Sequence, residues 1–415
     1  MKGGIHFTSR KELTRDKKIQ ALPLPEVITI PLSQHLGLPA KPVVKTGDKV
    51  KTGQIIGEPD GQISSFVHAT ISGRVKSIGP ASSPTGRRQM AITIESDGKD
   101  EWVELSPLSK TREAMIEAIF RAGVVGLGGA GFPSQIKLSP PKQIDTLILN
   151  GAECEPYLTS DYRTMVEEPE GVIGGLKIIA QIIQPKRVCI AIERDKNLAA
   201  STLAQYDGGI EIIILPVCYP QGGEKQLIKA ITGREVPSGG LPMDVGTLVH
   251  NVNTARAIYE AVTLGKPLIE KAVTVTGEVA RPKNLRARIG THIRLLLDEC
   301  GAKGDKVIMG GPMMGLAQWD MEVPVVKTTT GLVVLKYKEE KESVCIWCGR
   351  CIGVCPMGLL PVYLSGYLEK KMFSEAKADG LLDCIECGCC AYICPARRPI
   401  VHLIKLGKIG LKKLK

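Results

Sequence analysis

Eight cysteines near the C-terminus fall into two copies of one spacing. Cys345, Cys348, Cys351 and Cys355 precede Pro356, and Cys384, Cys387, Cys390 and Cys394 precede Pro395. Both runs read C-x2-C-x2-C-x3-C-P. In such a run three close thiolates wrap three irons of a cubane, and the fourth reaches across to the other cluster. The spacing therefore predicts one [4Fe-4S] cluster on Cys345, Cys348, Cys351 and Cys394, and a second on Cys384, Cys387, Cys390 and Cys355. Paired C-x2-C steps also serve zinc, but zinc takes four ligands in two pairs and leaves the third cysteine and the Cys-Pro step of each run without a role. Cys389 sits beside Cys390, and shifting the register to include it breaks the three-residue interval to Cys394, so it is read as a neighbour of the cluster. Cys154, Cys189, Cys218 and Cys300 are scattered and read as reduced, packed thiols in a reducing compartment. Two such clusters side by side make a relay for single electrons.

Three further segments carry chemistry. GLGGAGFP (126–133), followed by Lys137, removes side chains so that successive backbone N–H groups can turn toward an anion, with a lysine to add charge. It lacks the Gly-Lys-Ser/Thr ending of a Walker loop, and its glycines do not stand in the usual place of a Rossmann GxGxxG, at the turn from strand to helix. NGAECEPYLTSDYR (150–163) carries Glu153, Glu155 and Asp161 directly after an apolar strand candidate. YPQGGEKQLIKAITG (219–233) enters a helix with Glu224 in its first turn, where a carboxylate also simply favours the helix dipole.

The elements that must hold these segments follow from periodicity. A helix at about 111–122 precedes strand candidates TLILN (146–150), RVCIAI (187–192) and EIIILPV (211–217), separated by helical stretches near 170–183, 196–205 and 223–232. That alternation predicts a largely parallel sheet with ligands at the carboxyl ends of its strands. Upstream, residues 35–78 show β-branched alternation broken by Thr-Gly-Asp and Ser-Gly turns, a small all-β unit that looks like the barrel-sandwich fold of biotinyl and lipoyl carriers. Those carriers need a lysine at the hairpin tip, where this chain has Ser65, Phe66, Val67 and His68, so the module is read as structural.

Composition narrows the partners. A chain of 415 residues, 43% hydrophobic and 23% charged, has ample core for two to four domains. No apolar run reaches the roughly 18 residues of a spanning helix, and the first residues lack an apolar signal region, which places the chain in the cytoplasm. The net charge of +11 is uneven, for residues 396–415 hold seven Lys or Arg and no acid. With Ile400, Leu403, Ile404, Leu406 and Ile409 interspersed, that end suits an anionic bilayer surface or a partner, or stands as a solvated end. With aromatics at 4%, nucleic acid is a poor partner.

Taken in order, GLGGAGFP, NGAECEP, YPQGGEKQLI and HNVNT (250–254) resemble the flavin- and nicotinamide-binding segments of the flavoprotein subunit of respiratory complex I. The second cysteine run, the carrier-like module and the phrases KGGIHF, TGREVPSGGLP and GGPMMG look like the RnfC family, the C component of the Rnf complexes, which are membrane-bound ferredoxin:NAD oxidoreductases. The resemblance covers nearly the whole chain. It implies a multidomain α/β protein: an N-terminal arm (1–30), an unacylated all-β barrel-sandwich module (31–100), a Rossmann-like FMN/NADH domain (101–265), a β-grasp SLBB module (266–335), an α-helical ferredoxin-like domain with two clusters (336–400), and a basic tail (401–415).

The resemblance also implies roles. Gly126, Gly128, Gly129, Ala130 and Gly131 match the wrapping of the FMN phosphate and ribityl chain, with Lys137 neutralising phosphate. Asn150, Glu153, Tyr219, Gly222, Asn251 and Thr254 match flavin-side positions, while Phe132, Glu155 and Glu224 match positions that meet NAD(H). The complex I relative has Arg where Leu127 stands, Asp at Ala152, Glu at Gly223 and Asn at His250. No residue is expected to act as acid or base, since hydride passes between nicotinamide and flavin and then leaves as single electrons. The implied assembly is an ion-translocating complex at the cytoplasmic side of the inner membrane, with membrane and ferredoxin-like subunits as partners, ferredoxin as the indirect electron donor, and Na+ or H+ as the coupled ion. Two other readings share parts of this pattern: a soluble cobalamin reductase of microcompartments, and an electron-carrying scaffold without a nucleotide site.

Overall fold

The computed structural model describes residues 3–106, 111–206 and 208–413; Lys2, which opens KGGIHF, and residues 414–415 of the basic end lie outside them. The apolar runs of the middle region form the parallel strands Thr146–Gly151, Arg187–Glu193 and Glu211–Leu215, and a fourth strand, Thr247–Asn251, joins them. In space the order runs 211–215, 187–193, 146–151, 247–251. Alternate residues face opposite layers. Leu147, Leu149, Ile190 and Ile192 pack with helices Arg112–Arg121, Pro169–Ile183 and Val252–Leu264, while Ile148, Cys189, Ala191 and Val249 pack with Leu227 and Ile228 of helix Glu224–Thr232. Covering both faces is what such a sheet requires. Strand order reverses between 146–151 and 247–251, and at such a switch point the departing loops diverge and leave a crevice at the carboxyl ends.

The N-terminal module is a sandwich of two small sheets. Val27–Pro31, Arg88–Ser96, Gly73–Ser82 and Lys49–Val50 form one, and Lys41–Pro42, Ile55–Glu58 and Val67–His68 the other. Ile28, Ile30, Ile56, Val67, Ile92 and Ile94 fill the space between them. The hairpin tip, which a carrier holds out to solvent, is docked here. Lys327, from far along the chain, donates to the carbonyl of Phe66 (2.8 Å) and to that of Gly123 (2.7 Å), with the Ser65 hydroxyl at 3.5 Å. Burial pushes the Lys327 ammonium down to about 7. The module is thereby locked between the α/β domain and the next one.

That next unit is a six-stranded sheet in the order 19–21, 283–288, 270–277, 331–335, 306–309, 316–318, with helix Ile293–Cys300 packed on it. Its first strand, Ile19–Ala21, comes from the N-terminal arm and runs parallel to Lys283–Arg288. Asn284 pulls the arm in, its buried amide donating to the carbonyls of Thr14 (2.9 Å) and Lys17 (3.0 Å).

The cysteine-rich domain is helical. Its last helix, Ile400–Lys413, is part of that domain rather than a separate tail: Ile400 and Ile404 are buried, Gly407 lies against Leu368, and Gly410 against Phe373. Lys408 ties it to the second cysteine run, donating to the Cys384 carbonyl (2.6 Å) and to Glu386 (2.7 Å), while Leu406, Ile409 and Lys412 are exposed. Among the described residues, no helix is long and apolar enough to cross a membrane.

Removing the Lys327 donor strands the buried Gly123 carbonyl and the partly buried Phe66 carbonyl, at about 1–3 kcal/mol for a fully buried one. Lys327→Met is therefore expected to lower the thermal midpoint of the purified protein; an unchanged midpoint would show that the hairpin tip is not held by this lysine.

Candidate cluster and flavin sites

The two cysteine runs adopt the same local path. Trp347 and Glu386, each preceding the second cysteine of its run, have φ of 56° and 58°, and Gly349 and Gly388, each following it, have 72° and 81°. The residue three beyond each fourth cysteine also lies in the left-handed region, Gly358 at 66° and Arg397 at 53°. These reversals turn the first two thiols of a run inward, and the single turns Arg350–Gly353 and Cys389–Tyr392 present the third. The result is two cavities. Cys345, Cys348, Cys351 and Cys394 line one, and Cys355, Cys384, Cys387 and Cys390 line the other. Each holds three thiols of one run and the last thiol of the other. Four thiols around one space are the ligand set that a [4Fe-4S] cluster takes. Every cysteine is a free thiol. Cys389 also lines the second cavity, almost wholly buried.

The cavities differ in their surroundings. Cys348 is exposed at the first, beside Val344, Ile346 and Trp347, which are 82%, 65% and 66% exposed. At the second, the backbone of Gly388 abuts the carbonyl of Met313, and the Tyr219 hydroxyl donates to the Cys387 carbonyl at 2.7 Å. Gln226 of the α/β domain also reaches Met357 beside this cavity, Nε2 lying 2.9 Å from Sδ.

The glycine loop sits over the switch point. Gly126 N–H closes it by donating to the Phe132 carbonyl (2.9 Å), and Leu127 N–H donates to the Thr254 hydroxyl (2.9 Å). A Cβ on Gly128 would come within 2.8 Å of the Asn251 amide, and Gly131 has φ 70°, so both positions need glycine. Gly129 is different. A Cβ there would meet nothing within 4 Å, and the backbone of Gly128, Gly129 and Ala130 is exposed. This stretch of bare peptide, with the half-buried ring of Phe132 next to it, is a cradle suited to an anionic group.

The other two loops lock together below it. Asn150 accepts from Ala152 N–H (3.0 Å) and donates to the Gly222 carbonyl (2.9 Å). Gly222 lies so close that a Cβ would stand 2.2 Å from the Ala152 carbonyl oxygen. Asn251 caps helix Val252–Leu264 through Asn253 N–H (2.8 Å) and donates to Asp161 (2.6 Å), which also accepts from Asn253 (2.7 Å). Glu153 caps the helix Ser160–Glu167, accepting from Asp161 N–H (2.9 Å) and Tyr162 N–H (3.2 Å). Burial, and then neighbouring Asp161, push Glu153 up to about 7. Glu155 turns away to the loop of the β-grasp sheet, accepting from Met313 N–H (3.2 Å) and Met314 N–H (2.9 Å), and burial pushes it up to about 7 as well. Lys137 and Glu224 pair with each other at 2.9 Å on the exposed rim. Sequence reasoning missed Gln221, which is buried with its amide nitrogen unpartnered, and Lys11, whose ammonium reaches the Glu153 carbonyl from the N-terminal arm. Gln221 lies within YPQGG, where attention went to the glycines and Glu224, and no motif marks Lys11.

Comparison with known proteins matches four families along the chain: the RnfC barrel sandwich hybrid domain at residues 1–99, the Nuo51 FMN-binding domain at 119–260, the SLBB domain at 272–317 and the 4Fe-4S dicluster domain at 337–395. The chain is 45% identical to the C component of the proton-translocating ferredoxin:NAD(+) oxidoreductase complex of Clostridium ljungdahlii, over 98% of this chain and 93% of that one. The chain belongs to the RnfC family. The Na(+)-translocating counterpart of Acetobacterium woodii is 42% identical over 98% of this chain and 96% of its own, and the C component of the ion-translocating oxidoreductase complex of Rhodobacter capsulatus 41% over 98% and 82%. As an RnfC-family chain it carries the flavin-domain loops and the dicluster cavities in one molecule, which accounts for the two kinds of site above.

Two outcomes test these placements. Cys355→Ala is expected to damage the cluster otherwise held by Cys384, Cys387 and Cys390 while leaving that of its own run intact, as read by electron paramagnetic resonance and iron content; loss confined to the cluster of Cys345, Cys348 and Cys351 would refute the exchange. A Cβ at Gly129 meets no protein atom within 4 Å, so in Gly129→Val the fold and both clusters should persist while FMN binding is lost. Full FMN occupancy in that variant would move the flavin elsewhere.

Proposed function

We propose that this chain is the subunit of a membrane-bound ferredoxin:NAD+ oxidoreductase that exchanges hydride with NAD(H) and relays the electrons singly, within a complex that moves Na+ or H+. The observation that carries this reading is the contact of the α/β domain with the second cysteine cavity, through Tyr219 and Cys387. FMN and two [4Fe-4S] clusters, when bound, supply the conversion between a hydride and single electrons.

The chain's own residues position and tune. Backbone N–H groups of Gly126 to Gly131 would hold the flavin phosphate, with Lys137 free to join them once its partner turns to a nucleotide. Asn150, Gly222, Asn251 and Thr254 set the shape of the crevice floor, and Glu153 and Tyr219 brace it from below. Phe132 offers a ring for stacking, and Glu224, on the rim, a carboxylate for ribose hydroxyls. Glu155 joins the nucleotide side only at the expense of its two backbone donors, so the nucleotide contact rests chiefly on Glu224. Cys384, Cys387, Cys390 and Cys355 would hold the cluster nearer the flavin, and Cys345, Cys348, Cys351 and Cys394 the farther one. Exposure of Cys348, with Val344, Ile346 and Trp347 around it, supports exchange of electrons with another subunit there. Leu406 and Ile409 are exposed on the final helix near Lys412, which supports a peripheral seat on the cytoplasmic face of the membrane.

Losing one charged hydrogen bond costs roughly 1.5–3 kcal/mol, so Glu224→Ala should weaken NADH about ten- to a hundredfold with FMN content unchanged. Titration of anaerobic protein with NADH, followed by flavin bleaching, reads this directly. An unaltered affinity would place the nucleotide elsewhere and favour an electron-carrying scaffold.

A further inference from the structure

Residues 3–9 run through the seam between the α/β domain and the cysteine domain. Ile5 pairs with Tyr219 in both directions, N to O at 2.8 Å and O to N at 3.0 Å. Gly4 N–H donates to the Val354 carbonyl at 2.9 Å, one residue before Cys355. Gly3 has φ 69°, and a Cβ on it would stand 2.7 Å from the Cys355 carbonyl oxygen. Phe7 lies between two rings, that of Tyr219 at 5.5 Å and that of Tyr392 at 5.9 Å. Behind it, the Ser9 carbonyl accepts from Tyr157 N–H at 2.7 Å.

These residues close a small apolar core of their own. Ile5, Tyr219, Cys387 and Cys389 are buried in it, with Phe7, Cys154, Met313, Val354 and Ile385 packed around them. Its members come from the arm, two loops of the α/β domain, the β-grasp sheet and both cysteine runs. It lies between the crevice floor, through Cys154 and Tyr219, and the second cavity, through Cys387 and Cys389. Without Ile5 and Phe7, Tyr219 would keep its hydrogen bond to the cysteine domain but lose the backbone pairing with Ile5 and the ring contact with Phe7.

We propose that Ile5 and Phe7 are positioning residues for electron transfer, holding the α/β domain at a fixed separation from the cluster of Cys384, Cys387, Cys390 and Cys355. The proposal rests on the electron-relay reading above. Electron transfer falls off steeply with separation and with poor packing between the centres, so a seam that loosens slows this step and spares hydride transfer. One NADH would give up a hydride and leave as NAD+; the hydride amounts to one proton and two electrons, of which each cluster, when bound, would take one electron while the proton passes to solvent.

The test uses the full chain, loaded anaerobically with FMN and iron-sulfur and mixed rapidly with NADH. Flavin bleaching reports hydride transfer, and freeze-quenched paramagnetic resonance reports the clusters. In Phe7→Ala, flavin bleaching should keep its rate while cluster reduction slows on the order of tenfold. Phe7→Tyr keeps the ring and should restore the rate. Unchanged cluster reduction in a fully loaded Phe7→Ala overturns the proposal. Should that variant fail to retain its clusters, Ile5→Val, which removes a single methylene, decides by the same comparison of the two rates. If the unaltered chain itself shows no reduction of its clusters by NADH, the relay reading falls, whatever the arm does.

Discussion

Exchange of one thiol between the two cysteine runs is the constraint on which the last domain depends. Cys394 completes the cavity of the first run and Cys355 that of the second, so neither can form until both runs have folded against each other. The repeated left-handed positions follow from this demand, because each run must deliver three thiols inward and send a fourth across. The exchange also explains why the rest of the molecule grips this domain at two points. Tyr219 bonds beside Cys387 of one run and Gly4 beside Cys355 of the other, and both belong to the same cavity.

Around the crevice, charge has been buried where it can be paired. Lys196 is fully buried against Glu193 at 2.5 Å and reaches Asp195 at 3.0 Å, and Lys11 meets the Glu153 carbonyl nearby. A buried ion costs several kcal/mol unless a partner compensates it. Lys196 finds its partners within its own segment, at the end of strand Arg187–Glu193, whereas Lys11 joins the arm to the 150–163 loop. Such pairing adds little net stability but penalises any arrangement in which one segment is displaced, so it orders the loops that carry the flavin-side residues.

The cysteine spacing was legible in the sequence because a cluster imposes ligand intervals that little else does. The three apolar strands were legible by their length and β-branched content. Thr247–Asn251 was not, for its polar end, His250 and Asn251, masks it as a loop. Ile19–Ala21 was hidden for another reason: three residues with no periodicity become a strand only because Lys283–Arg288 offers an open edge. The glycine loop could be found from composition, but nothing local shows that Lys137 pairs with Glu224, or that Glu155 turns to Met313 and Met314. Contacts of that kind are set by the packing of domains, and the arm's place in the seam is the largest of them.

The departures from the complex I pattern make physical sense in the same terms. Leu127 is buried, and it contributes to the crevice through its backbone N–H on Thr254, which any side chain provides. Ala152 is buried where its carbonyl lies against Gly222, too close for a larger neighbour. Gly223 begins the helix of Glu224, and a Cβ there would stand 2.5 Å from the Gln226 side-chain oxygen. His250 is buried in the sheet, and desolvation holds it well below its ordinary range, so it sits neutral. All four are buried or close-packed, and at Leu127, Ala152 and Gly223 a charged residue of the complex I pattern gives way to an uncharged one. Above them the peptide of Gly128 to Ala130 and the carboxylate of Glu224 stay exposed. The crevice therefore has close-packed walls at these four positions and leaves its backbone donors and one rim carboxylate open to a ligand at its mouth.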